Sequence, residues 1–175
     1  AEVLRMDSRV HNLEGTNIRD LHPEMLCEKP ALAVCDASFI SIRLIFPVLR
    51  NVLAPGANCI FLVKPQFEAG KENIGKGGIV RDRHIHVKVI ENLFAAAEKE
   101  GLYPEALAPS PIEGGDGNRE FLAHFMLQFS AIGNYWGQPV FFGGENADGS
   151  TVINPLSYLF FDVYDKMGLQ NPKLQ

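Results

Sequence analysis

The chain contains 175 residues, of which 46% are hydrophobic and 21% are charged, and its formal net charge is −5. This composition is typical of a folded, water-soluble domain, and it excludes a disordered chain. The mild acidity excludes a uniformly basic nucleic-acid clamp but is compatible with a local basic patch. No run approaches the ~18 consecutive apolar residues of a membrane span, and no basic-then-apolar secretory leader opens the chain.

The cysteines and histidines indicate neither disulfides nor a metal site. Cys27, Cys35 and Cys59 are odd in number, widely spaced and set among apolar residues. This pattern predicts reduced thiols and a cytoplasmic location. His84 and His86 lie two positions apart in a predicted helix, so their side chains point to different faces and predict no metal pair.

Two continuous apolar runs predict strands that are buried on both faces. The first covers 31–35 and ends at Asp36, and the second covers 59–63 and ends at Lys64. A short additional strand is predicted at 10–13. Both of the longer runs end at a charged residue, so a charged side chain is predicted at each of those strand ends.

Helices are predicted after each of these two strands. Ser38 is predicted to cap a helix that runs to about Leu53, with a kink or break at Pro47. An amphipathic helix is predicted from His84 to Glu100, with the following glycine as its stop. Four aromatic side chains are predicted to face the core: Phe39, Phe46, Phe61 and Phe94.

The remaining elements complete an alternating pattern over the first 130 residues. A strand is predicted at 102–108, a polar loop at 109–119 and a last strand at 121–129. Strands that alternate with helices predict an α/β fold, with a mostly parallel sheet and right-handed crossovers. From about residue 131 the pattern changes, and 131–175 is predicted to form a small, separate, helix-containing tail.

Charged residues at the predicted strand ends form the first candidate site. Ligands of open α/β sheets bind beyond the carboxyl ends of the strands. This rule selects Asp36, Lys64 and Glu120, the last of which lies in the loop before Phe121. A lysine between two carboxylates is suited to deprotonate a hydroxyl group or to stabilise an oxyanion. The alternative interpretation is that each charge merely marks where a strand reaches water.

The loop over 70–82 forms a second candidate site. Its glycines are interleaved with Lys76 and Arg81, and such a loop can approach a phosphate backbone closely. The spacing matches neither the dinucleotide fingerprint nor the P-loop. A mobile surface loop is an equally compatible interpretation.

Four sequence blocks resemble one protein family in their order along the chain. They lie at 36–41 (DASFIS), 62–68 (LVKPQFE), 75–82 (GKGGIVRD), and 110–112 together with 117–121 (SPI and GNREF). These blocks are similar to the hemolysin A (TlyA) group of FtsJ-like ribosomal RNA methyltransferases. The resemblance covers residues 1 to about 130.

The resemblance implies a Rossmann-like fold with helices on both faces of a mostly parallel sheet. Proteins of this group use S-adenosylmethionine to methylate a ribose 2′-hydroxyl in ribosomal RNA. By that analogy Lys64 is the base on the hydroxyl, and Asp36 and Glu120 orient and tune it. Asn17 and Ile18 resemble the segment beside the adenine of the cofactor, and Asp36 also faces the cofactor. Ribosomal RNA or a ribosomal subunit is the implied partner, without a membrane.

The departures from the family pattern are also informative. The family's glycine-rich first motif, its first strands, its first catalytic lysine and its small S4-type RNA-binding domain have no counterpart here. We therefore expect unpaired strand edges, exposed apolar surface, and weak or no activity of this chain alone. A non-catalytic RNA- or ribosome-binding module is the alternative, and a pore-forming cytolysin fits less well because no membrane-spanning segment is predicted.

The tail resembles a different family. Residues 135–175 are similar to an internal segment of glycyl radical enzymes related to pyruvate formate-lyase, without that family's radical glycine or active-site cysteine. We therefore predict two units, 1–130 and 131–175, joined as a fusion near 130–134; an unusual C-terminal extension is the alternative. The resemblance implies no radical chemistry in this chain.

Overall fold

The computed structural model describes residues 2–114 and 117–128, together with the backbone of 144–145 and 151–152. The helices are α1 (Glu2–Met6), α2 (Phe46–Val52), α3 (Pro65–Glu68) and α4 (Arg83–Lys99). The strands are β1 (Leu32–Cys35), β2 (Asn58–Val63), β3 (Leu102–Pro109), β4 (Phe121–Leu127), β5 (Gly144–Glu145) and β6 (Thr151–Val152). The helix α4 confirms the prediction over 84–100 to within one residue at each end.

The main sheet has four strands in the order β1-β2-β4-β3. β1 and β2 are parallel, whereas β4 is antiparallel to both β2 and β3. β1, β2 and β3 therefore run in one direction, and the last strand runs against them. The α/β prediction is confirmed, whereas the direction of the last strand is not specified by the sequence pattern. The short polar loop after β3 holds no crossover helix, so it can return the chain only as an antiparallel neighbour.

The core lies on one face of this sheet. The rings of Phe46 in α2 and Phe61 in β2 are 5.6 Å apart. Phe94 in α4 packs edge-on against Phe125 in β4, with ring centroids 5.5 Å apart. Since Phe61 and Phe125 share one face, both helices cover that face. Helices on both faces are therefore not observed in the part of the chain that the structure describes.

The opposite face of the sheet is open and apolar. Leu32, Val34, Ile60 and Leu122 expose 56%, 73%, 40% and 38% of their surface. β1 is also an edge strand. The expectation that β1 and β2 are buried on both faces is therefore wrong for the described residues, whereas the expected exposed apolar surface is present. None of the described helices is long and apolar enough to cross a membrane.

The chain between β1 and α2 differs from its prediction. Ser41, rather than Ser38, caps the first helical turn, a 3₁₀ turn over Ile42–Leu44, by accepting from the Arg43 amide. The helix cannot start at Ser38 because Phe39 has φ = 64°, in the left-handed region that interrupts a right-handed helix. The predicted helix is interrupted before Pro47, which lies in the first turn of α2.

Two other predicted regions have different outcomes. The strand predicted at 10–13 is wrong, because Val10 and Thr16 donate their amides to local carbonyls in turns. In the tail, β5 and β6 form a two-stranded antiparallel pair. Apart from the backbone of these four residues, the tail lies outside the described residues. Its predicted helix, its resemblance and the domain boundary stay predictions.

Candidate active site

The carboxyl ends of β1 and β2 bring Asp36 and Lys64 together. These strands are parallel neighbours, so the residues that follow them lie at the same edge of the sheet. Lys64 Nζ lies 2.5 Å from Asp36 Oδ1 and donates a hydrogen bond to Ser38 Oγ at 3.1 Å. The Lys64 side chain is only 14% exposed, whereas that of Asp36 is 67% exposed. A sheltered amine is thus held by a solvent-facing carboxylate.

Glu120 reaches the same edge because β4 runs against β2. Val63 pairs with Phe121. Because the two strands are antiparallel, Lys64, which follows Val63, and Glu120, which precedes Phe121, lie at the same end of the pair. A parallel last strand would have placed the residue before Phe121 at the opposite edge of the sheet. The reversed direction of β4 is therefore what brings all three predicted site residues to one edge.

The Glu120 carboxylate is buried and forms a separate part of the site. Glu120 is 7% exposed, and Gln66 Nε2 lies 3.5 Å from its Oε1. Gly114 packs so closely that a Cβ on it would overlap this carboxylate. No ion pair joins Glu120 to Lys64 in the described part of the chain. Lys64 is therefore directly paired with Asp36 and not with Glu120.

Phe39 follows Ser38, whose hydroxyl accepts from Lys64, and it is 90% exposed. Its prediction as a core residue is therefore wrong. Its ring contacts Phe67, with centroids 5.0 Å apart, and its backbone has φ = 64°. A left-handed backbone is costly for a residue with a Cβ, so the surrounding contacts must hold Phe39 in this position.

The two residues predicted to lie beside a cofactor's adenine have local contacts in the structure. Asn17 Oδ1 accepts from the Arg19 amide at 3.1 Å and caps a 3₁₀ turn over Ile18–Asp20. Ile18 is partly buried and packs against the core. The side-chain hydrogen bonds of Asn17 involve Arg19, so the structure does not join Asn17 to the Lys64–Asp36 pair.

The glycine-rich loop is anchored by two buried side chains. Asn118, 4% exposed, accepts from the Val80 amide and donates to the Gly78 carbonyl, each at 3.1 Å. His86, 2% exposed, has its Nε2 2.9 Å from the Val80 carbonyl, and burial lowers the pKa of this histidine. The Nε2–H donates this bond because a carbonyl can only accept. These contacts oppose the interpretation of a loosely held loop.

Lys76 and Arg81 lie on this loop around a shallow cleft of about 410 Å³. Asp82 also lines the cleft and accepts from the His84 amide at 2.8 Å as the cap of α4. The two cations face solvent around one concave surface. Among the described residues, no group of three or more His, Cys, Asp or Glu side chains could hold a metal ion.

The family described as FtsJ-like methyltransferase matches residues 2–126. The chain belongs to the FtsJ-like methyltransferase family. It is 51% identical over 122 residues to the YqxC protein of Bacillus subtilis, named as a candidate rRNA methyltransferase, covering 69% of this chain and 43% of that protein. It is 38% identical over 125 residues to the 16S/23S rRNA (cytidine-2′-O)-methyltransferase TlyA of Mycobacterium tuberculosis, covering 71% and 47%.

A solved structure of a candidate hemolysin from Streptococcus thermophilus also resembles this FtsJ-like chain, with a TM-score of 0.71 and 46% identity. The match covers 73% of this chain and 46% of that structure. The FtsJ-like part of the sequence resemblance and the Rossmann-like fold are thus confirmed. The chain spans about half the length of the curated relatives it matches.

Sequence reasoning missed several residues of this FtsJ-like site. The hydroxyl of Ser38, which the sequence predicts to be a helix cap, instead accepts a hydrogen bond from Lys64. Gln66 and Asn118 lie inside the recognised blocks, and their contacts with Glu120 and the glycine-rich loop depend on segments that are distant in sequence. Position within a block was the only signal that could have pointed to them.

Proposed function

We propose that this chain carries the catalytic part of an S-adenosylmethionine-dependent ribosomal RNA ribose 2′-O-methyltransferase that acts in the cytoplasm. The observation that supports this most directly is the Lys64–Asp36 pair at 2.5 Å, beyond two parallel strands of an FtsJ-like domain. The relatives named as rRNA methyltransferases support ribosomal RNA as the substrate.

Lys64 is the residue best suited to act on the ribose hydroxyl. In its neutral form, the amine takes the proton from the 2′-hydroxyl as the oxygen becomes a nucleophile. Asp36 then stabilises the ammonium that forms, and Ser38 fixes the direction of the amine. Glu120, held by Gln66 and packed against Gly114, supplies a second negative charge at the same strand edge.

The residues present are compatible with S-adenosylmethionine along part of its length. The exposed Asp36 carboxylate offers acceptors for hydroxyl or ammonium groups, and Ile18 offers an apolar surface for an adenine ring. We assign Asn17, Ile18 and Asp36 to this binding role. When bound, S-adenosylmethionine supplies an electrophilic methyl group.

The RNA would lie across the glycine-rich loop and the exposed ring of Phe39. Lys76 and Arg81 provide positive charge for phosphates, while the buried anchors keep the loop in one shape. Phe39, the residue after Ser38, provides an exposed aromatic face, and unpaired bases stack readily on such faces. We therefore assign phosphate contact to the loop and base contact to Phe39.

A methyl-transfer assay with ribosomal subunits tests this function. The chain is incubated with S-adenosylmethionine carrying a labelled methyl group, and the RNA is then digested and analysed by mass spectrometry. We expect a weak signal, located on the 2′-oxygen of a nucleoside, because the chain spans about half the length of its curated relatives. Label on a base, or none at millimolar S-adenosylmethionine, would overturn the proposal. RNA binding without saturable S-adenosylmethionine binding would instead support a non-catalytic RNA-binding module.

A further inference from the structure

Glu68 is a buried carboxylate that neither the sequence motifs nor the proposed chemistry assigns to a role. It is the last residue of α3, the short helix that begins directly after Lys64. Its side chain is only 3% exposed. A carboxylate so well buried requires donors that compensate for the lost water.

Those donors come from the segment that follows Asp36. Glu68 Oε1 accepts from the Ile42 amide at 2.6 Å, and Oε2 accepts from the Ser41 hydroxyl at 2.7 Å. The Arg43 guanidinium adds a bond to Oε2 at 3.2 Å, and its outer face remains in water. Three consecutive residues of the segment thus converge on one carboxylate.

These hydrogen bonds form one end of a continuous contact between the segment over 36–43 and the segment over 64–68. At the other end, Lys64 holds Asp36 and Ser38. Between the two ends, Phe39 packs on Phe67. The segment over 36–43 therefore lies along the segment over 64–68 and is fixed to it at both ends. The left-handed backbone of Phe39 lies inside this fixed stretch.

We propose that Glu68 is a positioning residue for the Lys64–Asp36 pair. It holds the segment over 36–43 so that the Asp36 carboxylate and the Ser38 hydroxyl remain on the Lys64 amine. An effect of Glu68 on methyl transfer rests on the proposed function, whereas its effect on the position of the Lys64–Asp36 pair does not. Glu68 itself contacts Ser41, Ile42 and Arg43, so it acts on the amine only through the segment.

The substitution Glu68→Gln tests this role, because it keeps the size of the side chain and places an amide group against three donors. In the variant, we expect Lys64 to react with an amine-specific acylating reagent about tenfold faster, the factor expected from losing one hydrogen bond to a charged group. Backbone amides over 36–43 should exchange faster with deuterium by a similar factor. Both measurements use peptide mass spectrometry of the whole chain.

Glu72→Gln is the matched control, since Glu72 is exposed and its carboxylate accepts from the neighbouring Asn73. It should leave Lys64 labelling unchanged. Lys88, exposed on α4, and the amides of α4 report global loosening. Equal acceleration at Lys88 and Lys64 would contradict a positioning role. If Glu68→Gln does not fold, Ser41→Ala removes one donor and should change Lys64 labelling in the same direction but less.

Methyl transfer provides the functional readout. Glu68→Gln should lower kcat for ribosomal RNA about tenfold and raise KM for S-adenosylmethionine by a smaller factor, because Asp36 is one of three residues assigned to that cofactor. Unchanged Lys64 labelling and unchanged exchange over 36–43 in both variants would overturn the positioning role. If these two readouts respond as expected while the unsubstituted chain transfers no methyl group, the positioning role stands and the proposed function fails.

Discussion

The Lys64 amine lies 2.5 Å from the Asp36 carboxylate, and the two residues follow neighbouring parallel strands. The pair is asymmetric, because Lys64 is mostly covered while Asp36 remains largely in water. Such a pair contributes little to folding stability, because water around the exposed Asp36 carboxylate screens its attraction to the amine. The burial of the Lys64 amine is therefore better explained by a chemical role of that amine than by a contribution of the pair to folding stability.

Removing the Lys64 amine should abolish most methyl transfer. We expect Lys64→Ala to lower kcat about 10²- to 10⁴-fold, the range typical of a lost general base. Binding of S-adenosylmethionine, measured by isothermal titration, should stay unchanged because the other proposed contacts remain. Lys88→Ala, which removes an exposed lysine of α4, is the control. Retention of more than about a tenth of the activity in Lys64→Ala would exclude the proposed base.

Neutralising the cations of the glycine-rich loop should weaken RNA binding in a salt-dependent way. We expect Lys76→Gln and Arg81→Gln each to reduce the slope of log affinity against log salt by about 0.7, the value for one lost single-strand phosphate contact. Fluorescence anisotropy with a ribosomal RNA fragment at several salt concentrations measures this slope. Lys71→Gln, which changes an exposed lysine at the start of the same loop, should leave it unchanged. Equal slopes in all variants would show that the loop does not bind phosphates.

The backbone strain at Phe39 can be isolated by comparing two substitutions. Phe39→Ala and Phe39→Gly both remove the ring and its contact with Phe67, but only glycine adopts φ = 64° without a steric penalty. We expect the glycine variant to have a free energy of unfolding about 1 kcal/mol higher than the alanine variant. Urea denaturation measures the difference. A less stable glycine variant would mean that Phe39 is not strained in solution.

The same two variants should weaken RNA binding equally, because both lack the exposed ring. We expect about 1 kcal/mol of lost affinity, the lower end of the range for one stacked base. Affinity that follows the stability of the two variants, rather than the loss of the ring, would contradict direct base contact.

His86 should make folding stability depend on pH. Burial lowers its pKa from 6.5 in the folded chain, so below pH 6.5 the unfolded chain binds more protons than the folded one. The free energy of unfolding should therefore fall as the pH drops below 6.5, with the His86 contribution fully present above that pH. His86→Gln keeps a donor for the Val80 carbonyl and removes the titration.

Urea denaturation at a series of pH values measures this contribution. The decline below pH 6.5 should be shallower in His86→Gln than in the unsubstituted chain. His84→Gln, in which an exposed histidine at the start of α4 is changed, is the control and should keep most of the decline. If the free energy of unfolding depended on pH in the same way in all three proteins, His86 would not be the source of the decline.

Local features of this chain were predictable from its sequence. The apolar runs before Asp36 and Lys64 predicted β1 and β2, and the apolar period of 84–100 predicted α4, because burial of one face leaves a repeating pattern. The recognised blocks predicted family membership over most of the chain. Asp36 and Lys64 lie together because parallel neighbouring strands end at one edge of a sheet.

Long-range pairing decided the rest. The alternation of apolar residues in a strand is the same whichever way the strand runs. Only the pairing of β4 with β2 and β3 shows that β4 is antiparallel to them. This direction places Glu120 at the same edge of the sheet as Lys64. The apolar side chain of Phe39 favours a core position, whereas in the structure Phe39 packs on Phe67 and remains exposed to solvent. The sequence by itself predicted which side chains would carry the proposed chemistry. Tertiary structure decided which of them meet, because strand direction and cross-segment hydrogen bonds leave no periodic trace in a sequence.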